Sequence, residues 1–188
     1  DPVRHEVGDE TPNVQAATHR FWKVSRDNRN DVLADVVKAA WPAIIFTRTR
    51  HGADRLVKQL SKLEVEGVAI HGGLSQNARN RALDSFAKGR LHTLIATEVA
   101  SRGIHGDGVA SVVHYDPPED HKAYVHRSGR TARAGAAGLV VSLLQPEQVK
   151  PARKMQGEIG IDEEVVFPDH ATLPASELDT GRALAPAA

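Results

Sequence analysis

The 188-residue chain contains no cysteine, which rules out a disulfide framework, a cysteine-ligated zinc or iron–sulfur site and a thiol nucleophile. Aromatic residues make up only 4% of it, too few for a row of stacking platforms under unpaired bases. No stretch approaches the roughly eighteen consecutive apolar residues of a membrane span. The N-terminus also lacks the basic-then-apolar layout of a secretory signal. With 40% hydrophobic and 26% charged residues, the composition suits a soluble, cytoplasmic protein without membrane attachment. The length suits one domain plus tails.

A formal charge of zero hides an asymmetry. Seven acids (Glu158, Asp162, Glu163, Glu164, Asp169, Glu177, Asp179) stand against Arg182 alone after residue 157, so the body before it carries a net positive charge. A basic body fits polyanion binding, although charge alone does not distinguish this from an ordinary solvated surface.

From Phe21 to Leu144 apolar runs alternate with amphipathic stretches, the rhythm of a mostly parallel α/β sheet. Strands are expected at 21–25, 43–47, 67–70, 91–96, 110–115 and 138–144. Helices are expected at 27–40, from Thr49, from Ser75 to about 88, from Asp120 through Val125, and at 147–159 with Pro151 in the first turn. Residues 1–20 read as a linker with a possible short strand at 3–7. The body at 21–160 is one domain, and the acidic, Pro- and Ala-rich stretch 161–188 reads as a flexible tail.

The densest chemical signal is His126-Arg127-Ser128-Gly129-Arg130-Thr131-Ala132-Arg133-Ala134-Gly135. Crowded guanidinium groups repel one another, and an anion offsets that most simply. Arg130 and Arg133 at i, i+3 can present two planar forks to one phosphate. A solvated basic turn is the plainer reading, but the interleaved glycines favour close backbone approach to a ligand.

This segment resembles motif VI of DEAD-box helicases, H-R-x-G-R-x-x-R. Ala43-Ile44-Ile45-Phe46 with Thr49-Arg50 resembles motif IV. His71-Gly72-Gly73 with Gln76 and Arg79 resembles the HG…QxxR element, and Ala96-Thr97-Glu98-Val99-Ala100-Ser101-Arg102-Gly103 resembles motif V. All four stand in the family's order, and the bacterial RhlE-like branch looks nearest. The resemblance implies a RecA-like three-layer α/β sandwich, the C-terminal lobe of an ATP-dependent RNA helicase. It further implies that Arg130 and Arg133 reach ATP as arginine fingers, that Gly103 and His105 lie beside the nucleotide, and that His126 couples the lobes. Thr49, Arg50, Gly72, Gln76, Arg79 and Thr97 are the implied contacts to the RNA backbone, made without reading base identity. For Thr49 and Thr97 simple capping, and for Gln76 and Arg79 an exposed helix face, are the alternatives. Structural pairing with a local carboxylate is favoured for Arg127 and Arg102.

No G-x-x-x-x-G-K-[ST] and no D-E-A-D sequence occurs. By the same resemblance the Mg²⁺ ligands belong to an N-terminal RecA-like lobe of the same protein, of which residues 1–10 look like the frayed end. The isolated lobe is then expected to be inactive and monomeric. A DNA-acting helicase lobe and a stand-alone RNA- or protein-binding module remain the rival readings; His126 in place of Gln and the QxxR element argue against the first. Three departures stand out: Glu98 and Ala132 for the family's Asp and Gly, and His105 for its ribose-contacting Asp. A neutral imidazole still accepts a hydrogen bond, but a weaker one than a carboxylate, or else it points to solvent. In the full-length protein, His105→Asp should lower KM for ATP and sharpen selectivity against 3′-deoxy-ATP. Unchanged values for both would place His105 outside the nucleotide site.

Overall fold

The computed structural model describes residues 16–102, 104, 109–131 and 138–174. Strands β1 (Thr18–Lys23), β2 (Ala43–Thr47), β3 (Val68–Ile70), β4 (Thr93–Thr97), β5 (Ser111–His114), β6 (Leu139–Leu144) and β7 (Val165–Val166) form one sheet. Helices α1 (Arg29–Ala39), α2 (Arg50–Ser61), α3 (Gln76–Ala87), α4 (His121–Ser128) and α5 (Val149–Ile159) connect them. The strand order is β3-β4-β2-β5-β6-β1-β7, and every pairing is parallel.

Parallel strands covered on both faces read as unbroken apolar runs, and β2 (AIIFT) and β6 (LVVSLL) are buried throughout. Alternation then divides their side chains between two cores. Ile45, Ile95, Val113 and Val141 pack with Leu33, Val36, Val37, Ala53, Leu56 and Leu60 of α1 and α2. Ile44, Phe46, Leu94, Val112 and Val140 pack with Phe86, Tyr124 and Ala152 of α3, α4 and α5. The result is the expected helix–sheet–helix sandwich. No helix among the described residues is long and apolar enough to cross a membrane.

Side-chain caps begin three of the helices where the sequence places them. Thr49 accepts from the Gly52 N–H, Ser75 from Ala78 and Asp120 from Ala123. Pro151 is the third residue of α5, where a missing N–H costs no helical hydrogen bond.

Both ends of the sandwich reach further than the boundaries at 21 and 160. Strand β1 starts at Thr18, in register with Leu139, and His19 is buried, its Nδ1 2.6 Å from the Tyr124 hydroxyl. The polar triplet Thr18-His19-Arg20 conceals a strand because its inward residue meets a polar partner. Beyond 160, Val165 and Val166 pair with Phe21 and Trp22, Ile161 joins the α5 core, and His170 Nε2 lies 2.7 Å from Asp35. Residues 161–174 thus pack onto the domain, and two apolar residues were too short a run to signal a strand. The possible strand at 3–7 and the tail from 175 lie outside the described residues. Helix α4 also outruns its expected end at Val125, taking in His126, Arg127 and Ser128 before Gly129.

His114 is fully buried at the end of β5, its ring stacked 4.7 Å from Tyr124 and 6.2 Å from Phe46. Burial first, then the Arg127 guanidinium and His19, holds its pKa well below the ordinary 6.5. In that window the unfolded chain binds a proton that the folded chain refuses, so stability falls as pH drops below 6.5, by up to ~1.4 kcal/mol per pH unit for this one group. Urea unfolding between about pH 5 and 7.5 should show a shallower pH slope for His114→Phe than for the unaltered chain. Identical slopes would contradict the assignment.

Candidate functional site

Strands β2, β3 and β4 end level with one another: Thr47 pairs with Thr97, and Phe46 and Ile70 both pair with Ala96. The segments that leave them, Thr49-Arg50, His71-Gly72-Gly73 and Thr97-Glu98, therefore meet at one sheet edge, where ligands of open α/β sheets sit.

Thr49 serves as the cap of α2, its Oγ1 accepting from Gly52 N at 2.9 Å. A Cβ on residue 52 would stand 2.9 Å from that oxygen, so glycine is what lets the cap close. The hydroxyl proton is left to donate elsewhere. Arg50 and Gly72 are exposed. Gln76, in the first turn of α3, donates through Nε2 to Asn80 Oδ1 at 2.9 Å and keeps a second amide hydrogen. Arg79 is not merely an exposed helix-face residue: its Nη2 donates to the Arg102 carbonyl at 2.6 Å, tying α3 to the loop after β4. Thr97 ends β4 with only 8% of its surface exposed. Hydroxyl, guanidinium, amide and backbone N–H donors thus converge, the chemistry of phosphate and ribose recognition.

Behind this edge lies Arg127, 5% exposed. Its Nε pairs with Glu98 Oε2, its Nη1 donates to the Asp116 carbonyl at 3.2 Å, and its guanidinium lies 4.8 Å from the centre of the Phe46 ring. The structural role favoured for Arg127 holds. Asp116 accepts from Arg48 N at 2.8 Å and faces Arg29 Nη1 at 3.7 Å, and Arg29 in turn covers the Tyr115 ring at 3.9 Å. Sequence reasoning passed over Asp116 and took Glu98 only as a departure. A lone acid just after an apolar strand was the available signal. Arg102, by contrast, has no carboxylate partner among the described residues; it contributes its carbonyl.

Of the arginine segment, Arg127 reaches the strand-end edge through Glu98 and Asp116, whereas the residues that follow α4 lead away from it. As a crossover between parallel strands, α4 returns toward the start of β6, and Thr131, beyond its end, bridges to Val109 just ahead of β5. His126, in the last turn of α4, is exposed. Arg130 donates from Nη1 to the Ile104 carbonyl at 2.5 Å and from Nη2 to the Ser101 carbonyl at 3.3 Å. It is thereby docked on the loop that leaves β4. Gly103, His105 and Arg133 lie outside the described residues. No group of three or more His, Asp or Glu among the described residues could hold a metal ion.

Residues 28–135 match the model of the helicase conserved C-terminal domain. The DEAD-box ATP-dependent RNA helicase 36 of Arabidopsis thaliana is 38% identical over 161 residues, covering 83% of this chain and 33% of that protein. RhpA of Helicobacter pylori, another DEAD-box ATP-dependent RNA helicase, is 32% identical over 161 residues, covering 85% and 33%. The chain thus spans about a third of the length of the curated relatives it matches. Among solved structures, the C-terminal domain of the DEAD-box protein Dbp5 superposes with a TM-score of 0.73 at 30% identity, over 82% of this chain and 91% of that one. A RecA-like fold is thereby shared.

Arg127→Leu conserves bulk but strands the Asp116 carbonyl and half-exposed Glu98. It should destabilise the lobe by about 1.5–3 kcal/mol, the range for hydrogen bonds to a charged group, read as a lower urea midpoint with an unchanged m-value. A midpoint that does not move would remove Arg127 as the joint between α4 and the strand ends.

Proposed function

The chain belongs to the helicase conserved C-terminal domain family, in its DEAD-box form, and from that premise we propose that it is one half of an ATP-driven RNA-remodelling enzyme. The observation that carries this reading is the loop after β4. On one side it holds Arg79 of the donor edge through the Arg102 carbonyl, and on the other it holds Arg130 through Ser101 and Ile104. One loop thus bridges the RNA-facing donors and the arginine segment, which is what coupling nucleotide to RNA requires.

In this account Thr49, Arg50, Gly72, Gln76, Arg79 and Thr97 grip phosphate and ribose oxygens of any sequence. Arg130 and Arg133 face the ATP phosphates across the cleft to an N-terminal lobe, where guanidinium groups stabilise charge spread over the transferred phosphoryl oxygens. Gly103 and His105 sit by the ribose, and exposed His126 contacts the opposite lobe. Mg²⁺ would be held by that other lobe. We further propose the RhlE-like branch, a cytoplasmic location and a monomeric state. A Saccharomyces cerevisiae Dbp5 variant bound to RNA and ADP BeF3 superposes with a TM-score of 0.74 at 31% identity over 84% of this chain and 44% of that one, which supports the pairing of both ligands with this kind of lobe.

The purified chain should bind single-stranded RNA weakly, with affinity falling steeply as salt rises because each neutralised phosphate releases counterions. It should show no ATP turnover with or without RNA. ATP turnover by a preparation free of other enzymes, or RNA binding indifferent to salt, would overturn the reading.

A further inference from the structure

The HG…QxxR element contributes Gly72, Gln76 and Arg79 to the donor edge and leaves its histidine without a role. We propose that His71 is a positioning residue, locked in one tautomer between Asp54 and Gly73, and that this relay sets the loop at 71–74 in the orientation that presents the Gly72 N–H to an RNA phosphate. The inference rests on the RNA-backbone reading above.

The His71 side chain is 9% exposed and lies 2.9 Å from Asp54 Oδ1 through Nε2. On the other side of the ring, Nδ1 accepts from the Gly73 N–H at 3.0 Å. A backbone N–H only donates, so Nδ1 must be unprotonated; an ionised carboxylate only accepts, so Nε2 must carry the hydrogen. Both partners therefore select the same neutral tautomer, the arrangement in which an acid orients an imidazole by its second nitrogen. Packing enforces it as well, because a Cβ at residue 73 would meet His71 Cε1 and Nδ1 at 3.0 Å. Only glycine lets the ring lie this close to the loop backbone. The His71 carbonyl also accepts from Leu74 N at 3.2 Å, closing the turn.

Two consequences follow for the site. The Gly73 N–H is committed to the ring, so it is not a phosphate donor. Gly72, exposed and with open space where a Cβ would stand, has no partner for its N–H among the described residues and is the one left to donate. Asp54 also lies one helical turn beyond Arg50 on α2, and Arg50 Nη1 would stand 3.6 Å from a Cβ on Gly73. The relay therefore crosses from the helix that carries Arg50 to the loop that carries Gly72, and it holds the two donors beside each other.

Two amide substitutions separate the halves of the ring. His71→Asn places an acceptor oxygen near the position of Nδ1 and gives up Asp54. His71→Gln reaches Asp54 with its amide hydrogens and gives up the acceptor for Gly73. Binding of a fluorescein-labelled oligouridylate to the full chain at low salt should fall about five- to tenfold in His71→Gln and less than about threefold in His71→Asn, the weight of one hydrogen bond. The two variants should unfold at similar urea midpoints. In the unaltered chain, ¹⁵N spectra of the His71 ring should show a protonated Nε2 and an unprotonated Nδ1. RNA affinities of both variants within about twofold of the unaltered chain, or a protonated Nδ1 with a bare Nε2, would overturn the relay alone. Failure of the unaltered chain to bind the RNA would overturn the RNA-backbone reading and this role with it.

Discussion

A buried guanidinium has to be met on every side, and Arg127 is met by three elements that are far apart in the chain. Glu98 follows β4, Asp116 follows β5 and Phe46 is the penultimate residue of β2. A charge this deep is tolerated only when paired and hydrogen-bonded, so the ends of three strands and the far turn of α4 must keep one relative arrangement or leave a charge stranded. Most of the proposed site inherits its geometry from that requirement. Glu98 opens the loop on which Arg130 docks, and Asp116, besides meeting Arg127, steadies Arg48 and so the approach to Thr49 and Arg50.

The second constraint is the level ending of parallel strands. Because β2, β3 and β4 run in the same direction and in close register, their exits deliver short polar segments to one edge. The caps Thr49 and Ser75 then turn the segments after β2 and β3 into helices. Helix N-termini and exposed backbone amides at such an edge favour anions with no dedicated pocket. That suits a partner recognised by its repeating backbone rather than by its bases.

What was legible in the sequence is what local chemistry decides. Apolar runs marked β2, β4, β5 and β6, hydroxyl and carboxylate caps marked the starts of α2, α3 and α4, and four collinear motifs marked the family. What was hidden depends on partners distant in the chain. His19 reads as polar linker until Tyr124 supplies its hydrogen bond, and Val165-Val166 is too short to read as a strand until β1 offers an edge. Glu98 looks like a conservative change until Arg127 is seen against it. His71 looks like a motif letter until Asp54, seventeen residues earlier, and Gly73 are seen to share its ring. Local pattern places elements, whereas the polar joints between elements appear only when the chain is closed.

The central claim is that this lobe completes an ATP site whose other half lies in a preceding lobe, through arginines that RNA binding does not use. RNA-stimulated ATP turnover by the full-length protein carrying Arg133→Ala tests it most directly. The account predicts a fall in kcat of roughly 10³-fold or more, the scale of losing an arginine finger, with RNA affinity nearly unchanged; turnover that survives the substitution would contradict it.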